Sequence, residues 1–405
     1  MNIIKNKGNI GTFILNKKQP IHRWYKYDEG YSSEFIYKEI ENLPIHPTSL
    51  FEPFAGSGTT PLVASSIGVQ SFYTEMNPFM RFVTDTKINV VRKSIKKKFE
   101  VVDTLNNFSN LIMNSAPSLN QHIMIGGFEK FYKLPVLSEL LFIKNKIKNI
   151  SDVDCQSLAN LALAAIVVPV SNMIKRGDLR YAKEGEKNVE HFNVKLQYKH
   201  KLEQIIEDLS ILELEEYAEA ICIGEDARTA IPPMQVDCII TSPPYLNGTN
   251  YIRNTKLELN ILDFVESESE LKMLHSNGII AGINNVSSRR EVINSIPELV
   301  PILQKLEPVA YDVRIPKMVI GYFNDMSTFF LNASKAVRHK GYVVMDIGDS
   351  QFAGIHIPTD SLLTIIAEKY GFNLYDQETL RTRRSKNQMI LSQKVLRYQL
   401  NKKGE

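Results

Sequence analysis

The run Val236-Asp237-Cys238-Ile239-Ile240-Thr241, broken by Ser242-Pro243-Pro244-Tyr245, limits what this chain can fold into more than any other stretch. Its short apolar core reads as a strand buried on both faces, which calls for a sheet covered by helices on either side. Two consecutive prolines then end the strand, because proline has no N–H for a central ladder and fixes its own φ. Sheets of this kind place their ligands beyond the carboxyl ends of the strands, where Pro243-Pro244 forms a stiff spacer between the Ser242 hydroxyl and the Tyr245 ring. A planar group can stack on such a ring while its in-plane hydrogens are accepted by the serine oxygen and a nearby carbonyl. Taken alone, the same residues are also a strand-ending turn without chemistry.

The pattern of strand followed by ligand-ready turn recurs. Ser49 to Thr60 reads as a short strand with Glu52 near its end, a turn Phe54-Ala55-Gly56-Ser57-Gly58, and a helix start at Thr59-Thr60-Pro61. The glycines let a ligand approach the backbone, and a helix N-terminus offers N–H donors to a carboxylate. A phosphate loop is excluded because its lysine is missing, and Thr60-Pro61 stands where a dinucleotide fingerprint needs its third glycine. A second strand, Val69 to Glu75, ends in an acid at the position that commonly holds ribose hydroxyls. A third, Ala220 to Ile223, ends in Gly224-Glu225-Asp226. Helices are expected over Met326 to Val337 and Asp360 to Tyr370, a strand over Gly341 to Ile347, and two closing strands from Asn373 around a basic turn Arg381 to Ser385.

Between the second and third strands, Pro78 to about Ala218 reads as helical, with segments Phe79–Asn89, Leu134–Ile147, Cys155–Ile174 and Val194–Leu214. The expected organisation is a first half of the sheet domain with its N-terminal aromatic segment in residues 1–90 and a helical insertion in 91–218. A catalytic part in 219–250, a second insertion in 251–317 and the rest of the sheet domain in 318–405 complete it. The turn Lys175-Arg176-Gly177-Asp178-Leu179-Arg180-Tyr181 mixes cations and aromatics as a sugar-phosphate contact does, whereas Lys96-Lys97-Lys98 reads as a solvated face. Arg253 and the pair Arg289-Arg290 add charge to the second insertion. With 405 residues, 43% hydrophobic and 23% charged, the chain is ordinary globular material, and a net charge of +3 means that any nucleic-acid surface is local. Three cysteines without CxxC spacing, Cys155, Cys222 and Cys238, read as buried free thiols in a reducing compartment and exclude a zinc site. Met1 to Lys5 shows no signal-peptide core, and the apolar run Leu158 to Val170 is shorter than the ~20 residues that span a bilayer. The expectation is a cytoplasmic protein without a membrane segment.

Phe54 to Gly58 resembles the FxGxG motif, and Thr241 to Tyr245 the TSPPY motif, of the S-adenosylmethionine-dependent DNA amino-methyltransferases. The resemblance covers roughly residues 20–90, 218–250 and 320–400, and the middle of the chain carries none. It implies an α/β fold, a Rossmann-like class I methyltransferase sheet with helices on both faces, plus a mostly helical insertion. It implies S-adenosylmethionine as cofactor, with no metal, held by Glu52, Phe54, Gly56, Gly58, Thr59 and Thr60, by Glu75 at the ribose and by Asp226 at the adenine. The aromatic segment with the chain's one tryptophan, Trp24, and with Tyr31 and Ser32, where Ser32 or Ser33 can cap a helix through Phe35, looks like the part that closes over the methionine end. Ser242, Pro243, Pro244 and Tyr245 become the catalytic tetrad. Lys175, Arg176, Arg180 and Arg253 are the expected contacts to double-stranded DNA, and a cognate restriction endonuclease is the expected partner; nothing in the sequence specifies an oligomeric state.

The implied reaction methylates the exocyclic amino group of an extruded base. That nitrogen is a poor nucleophile, so its hydrogens must be bonded and its lone pair aimed at the sulfonium methyl. Serine at the first tetrad position points to cytosine N4, with adenine N6 the nearest alternative. A methyltransferase acting on RNA or protein, and an inactive DNA-binding subunit, are the remaining readings. No Pro-Cys loop is present for carbon-5 chemistry.

Overall fold

The computed structural model describes residues 7–117, 124–213, 217–286, 292–385 and 387–402; the pair Arg289-Arg290 and the stretch Met1 to Lys5 lie outside them. The strands among these are β1 (Ser49–Glu52), β2 (Gln70–Thr74), β3 (Met173–Arg176), β4 (Asp178–Tyr181), β5 (Ala220–Gly224), β6 (Val236–Thr241), β7 (Val337–Gly348), β8 (Ser350–Phe352), β9 (Ile355–Ile357), β10 (Phe372–Arg384) and β11 (Ile390–Leu400). Seven of them form one sheet in the order β10-β11-β7-β6-β1-β2-β5. From β5 to β7 neighbouring strands are parallel, and β11 enters antiparallel to both β7 and β10. This is the Rossmann-like methyltransferase sheet, with helices on both faces. The chain runs outward from β1 to β2 and β5, then crosses to β6 on the other side of β1. The strand order reverses there, which opens a crevice at the carboxyl ends.

Alternate residues of the strands supply two different cores, which is why the strands read as continuous apolar runs. Phe51, Ile239, Val343 and Met345 face the helices Arg314–Ala336 and Thr359–Lys369. Leu50, Cys238, Ile240 and Val344 face the helices Ser33–Asn42 and Thr59–Ser66. The closing strands are tied to the helix Ser33–Asn42 by Arg397, 5% exposed, which forks onto the fully buried Glu39 at 2.7 and 2.8 Å.

The region between β2 and β5 forms a separate helical core from Lys98–Asn114, Leu134–Ile147, Val153–Val170 and Val194–Ile211. The helix Val153–Val170, longer than the expected apolar run, is by length and composition able to cross a membrane; here it packs inside this core, with 61% of it buried. Several expectations change. That helix ends at Val170, before Ser171 in extended backbone, so it does not reach Ile174. The stretch from Lys175 to Tyr181 is the hairpin β3–β4, turned at Gly177 with φ +75°. The helix before β7 begins at Arg314 rather than Met326. Arg381 to Arg384 lie within β10, whose solvent-facing residues lack the apolar alternation that marks a strand. Cys222 is exposed on the edge strand β5, while Cys155 and Cys238 are buried.

Candidate active site

A cavity of about 370 Å³ opens at the carboxyl ends of β1, β2, β5 and β6. Tyr31, Phe54, Gly56, Thr59, Glu75, Asp226, Ser242, Pro243, Pro244 and Tyr245 line it, so the two glycine and proline turns share one wall. What joins them is Glu52, at the end of β1 and 1% exposed. Its carboxylate accepts from the Tyr31 hydroxyl (2.6 Å), the Phe54 N–H (2.9 Å) and the Thr241 hydroxyl. Burial raises its pKa even against these donors. Glu52 therefore stands behind the cavity and fixes three parts of its wall, in place of the direct cofactor contact expected of it.

Glu75, by contrast, lines the cavity itself. One oxygen accepts the Gly56 N–H at 2.7 Å and the other the Asn77 N–H at 2.8 Å, while burial pushes its pKa up to about 7. Gly56 has φ +52°, and a Cβ there would stand 2.8 Å from the Tyr27 ring across the cavity. Gly58 has φ +78° and caps the helix Thr59–Ser66, but a Cβ would strike Thr84 at 2.8 Å. It serves packing behind the loop and not ligand approach. Thr60 is likewise turned away and bonds the Tyr31 hydroxyl. Ser57, on the cavity wall, has a buried hydroxyl without a hydrogen-bond partner among the described residues. Beneath the loop lies Lys87, 1% exposed, donating to the carbonyls of Ser57 (3.2 Å) and His22 (3.4 Å); burial lowers its pKa to about 7.

Tyr245 is positioned from the sheet. Its hydroxyl is 3.0 Å from the Gln393 amide nitrogen, which also reaches both oxygens of Asp346 at 2.8 and 2.7 Å. Arg381 donates to the Gln393 oxygen at 2.6 Å. Asp346, 1% exposed, has its pKa raised to about 7 by burial. Gly348 leaves room for the ring, since a Cβ there would lie 3.2 Å from it.

The N-terminal segment contributes through different residues than expected. Trp24 is fully buried away from the cavity and donates from its indole to Asp208 at 2.7 Å. Ser32 caps the helix Ser33–Asn42, accepting from Phe35 N–H, and does not reach the cavity. Tyr27, Asp28, Glu29 and Gly30 form the wall instead, and so do Asn277 to Ile279 from the second insertion. Sequence reasoning missed both groups, although the density of tyrosines around Gly30 was a signal. The expected DNA contacts divide. Lys175 turns inward onto Glu29 at 3.0 Å, and Arg180 forks onto Glu186 at 2.8 Å twice, so both cations already have carboxylate partners. Arg176 and Arg253 are exposed. They flank one rim, because Asn254 donates to the Gly177 carbonyl at the hairpin tip (3.0 Å) and to Glu29 (2.9 Å).

No protein-family model matches the chain. Among curated proteins it is similar to the type II methyltransferase M.BsoBI of Geobacillus stearothermophilus, 25% identical over 92% of this chain and 82% of that one. The type II methyltransferase M.AvaI of Anabaena variabilis is 25% identical over 90% and 82%, and M.MvaI of Kocuria varians 20% over 90% and 85%. A solved rRNA methyltransferase, aviRa from Streptomyces viridochromogenes, aligns over 94% of this chain and 85% of that one at 7% identity with a TM-score of 0.31, too remote to bear on function. Along nearly its whole length, the chain is similar to type II methyltransferases.

Proposed function

We propose that the protein transfers a methyl group from S-adenosylmethionine to cytosine N4 in double-stranded DNA, as the methyltransferase of a restriction-modification pair. The carrying observation is that Glu75 and the whole of Ser242 to Tyr245 line one cavity. The names of the relatives support DNA modification, and serine at the head of the tetrad supports cytosine N4 over adenine N6.

S-adenosylmethionine is the cofactor, and the residues present fit it. The unpartnered Ser57 hydroxyl and the N-terminus of the helix Thr59–Ser66 suit the methionine carboxylate. Glu75, oriented by two backbone N–H groups, keeps lone pairs for ribose hydroxyls. The cofactor supplies an electrophilic methyl group. The protein's part is to accept hydrogens of the target amino group at Ser242 and to hold the extruded base against Tyr245, a stacking contact worth about 1–3 kcal/mol.

Methylating DNA with the purified protein and identifying the modified nucleoside by mass tests the reading. N4-methylcytosine is expected, and Ser242→Ala is expected to lower turnover by about 10²-fold with cofactor binding kept. N6-methyladenine would replace the base assignment, and unmethylated DNA with active cofactor binding would refute the function.

A further inference from the structure

We infer that residues 275–282 of the second insertion form a latched lid over the cofactor cavity and that Arg228 is the latch, an inference that rests on the cavity being the S-adenosylmethionine site. The segment lies outside the sheet, yet Asn277, Gly278, Ile279 and Ala281 line the cavity. At Gly278 a Cβ would stand 2.8 Å from the terminal carbon of Met76, so the lid backbone lies directly on the residue that follows Glu75.

At the centre of the contacts that hold it there is one guanidinium with three partners. Arg228 forks onto Asp226 (2.9 and 2.8 Å), donates to Asp325 at 2.9 Å, and donates to the Asn277 carbonyl at 2.7 Å. The second oxygen of Asp325 accepts the Ile280 N–H at 2.9 Å. The guanidinium is thereby shared between the turn after β5, the helix Arg314–Ala336 and the lid. Asp325 is 16% and Arg228 22% exposed, enough burial for these bonds to be weakly screened. The far end of the lid touches the catalytic loop, where the Ala281 carbonyl accepts the Gly248 N–H at 2.9 Å. Ile280 packs on Gly321, where a Cβ would be only 2.7 Å from its side chain.

Two consequences follow from the geometry. The Asp226 carboxylate, expected to meet the adenine, is engaged by Arg228 and serves closure. A nucleoside end seated in the cavity beneath the lid leaves when the bonds to Asn277 and Ile280 break, so the latch governs residence time. Arg228 and Asp325 act as positioning residues.

The test measures release of S-adenosylhomocysteine by stopped flow, together with backbone hydrogen exchange. Arg228→Gln and Asp325→Ala are each expected to speed release by about tenfold or more, the scale of losing a charge-assisted hydrogen bond, and to raise exchange over residues 275–282 selectively. Asp325→Ala leaves the Arg228–Asp226 pair in place and so separates the lid from any direct role of Asp226. Arg228→Lys, which keeps the charge but loses the fork, is expected to fall between. Unchanged release in both variants, or exchange raised evenly along the chain, overturns the latch while leaving the cofactor site standing. A wild-type protein that binds no S-adenosylhomocysteine would refute the reading of the cavity and the latch with it.

Discussion

Glu75 is pulled in two directions. Burial favours its neutral form, whereas the N–H groups of Gly56 and Asn77 favour the carboxylate, and the balance lies at about 7. The ionised form, present above that pH, accepts both N–H groups and, in the proposed function, the ribose hydroxyls. Cofactor affinity is therefore expected to weaken as the pH falls from 8 to 6, and Glu75→Gln to bind less tightly with no inflection, as calorimetry across that range would show. Stability moves the other way. A carboxyl whose folded pKa is raised contributes most below its ordinary value near 4.5 and loses that contribution as the pH rises to about 7. Gly58 gives a second residue-scale test. Gly58→Val meets both the left-handed backbone and Thr84, and is expected to destabilise the protein by about 1–3 kcal/mol in urea unfolding. Thr84→Ala in the same chain should restore only part, because it relieves the contact and not the φ.

At the scale of elements, the helix Val194–Ile211 holds the N-terminal segment through one carboxylate. Asp208, fully buried, accepts from the Ile21 N–H (3.0 Å), the Arg23 guanidinium and the Trp24 indole. The helical insertion thus supports the segment whose next residues, Tyr27 to Tyr31, wall the cavity. Asp208→Ala would leave two N–H groups unpaired and Arg23 with only the exposed Glu207 at 3.7 Å, at a cost of about 3 kcal/mol. Increased hydrogen exchange over residues 21–31 is the expected accompaniment, and unchanged exchange there would detach the insertion from the site.

At the scale of the molecule, a net charge of +3 leaves DNA binding to local groups. Arg176 and Arg253, exposed on one rim with Arg176 at the looser distance of 3.6 Å from Glu186, are the two expected to meet phosphates. Replacing both with alanine should lower the slope of log K against log salt by about 1.8, at ~0.9 per phosphate contact. Replacing Lys175 and Arg180, already paired with Glu29 and Glu186, should change it little. A steeper loss from the second pair than from the first would invert this assignment.

The centre of the sheet was legible because β1, β2, β6 and β7 carry their own apolar runs and the turns their own backbone chemistry: Pro243-Pro244 ends β6, Gly58 starts a helix, and a serine caps one, all within a few residues. These are local preferences of φ, ψ and side-chain period, and the amino-acid sequence states them directly. Partner choice is not local. Glu52 meets Thr241 across 189 residues, Trp24 meets Asp208 across 184, and Arg228 meets Asp325 across 97. Nothing in the flanking residues marks Glu52 as standing behind the cavity, Lys175 as turned inward, or residues 277–279 as lining the cavity. A buried charge takes the complementary group that folding brings within reach, and only the tertiary structure decides which group that is.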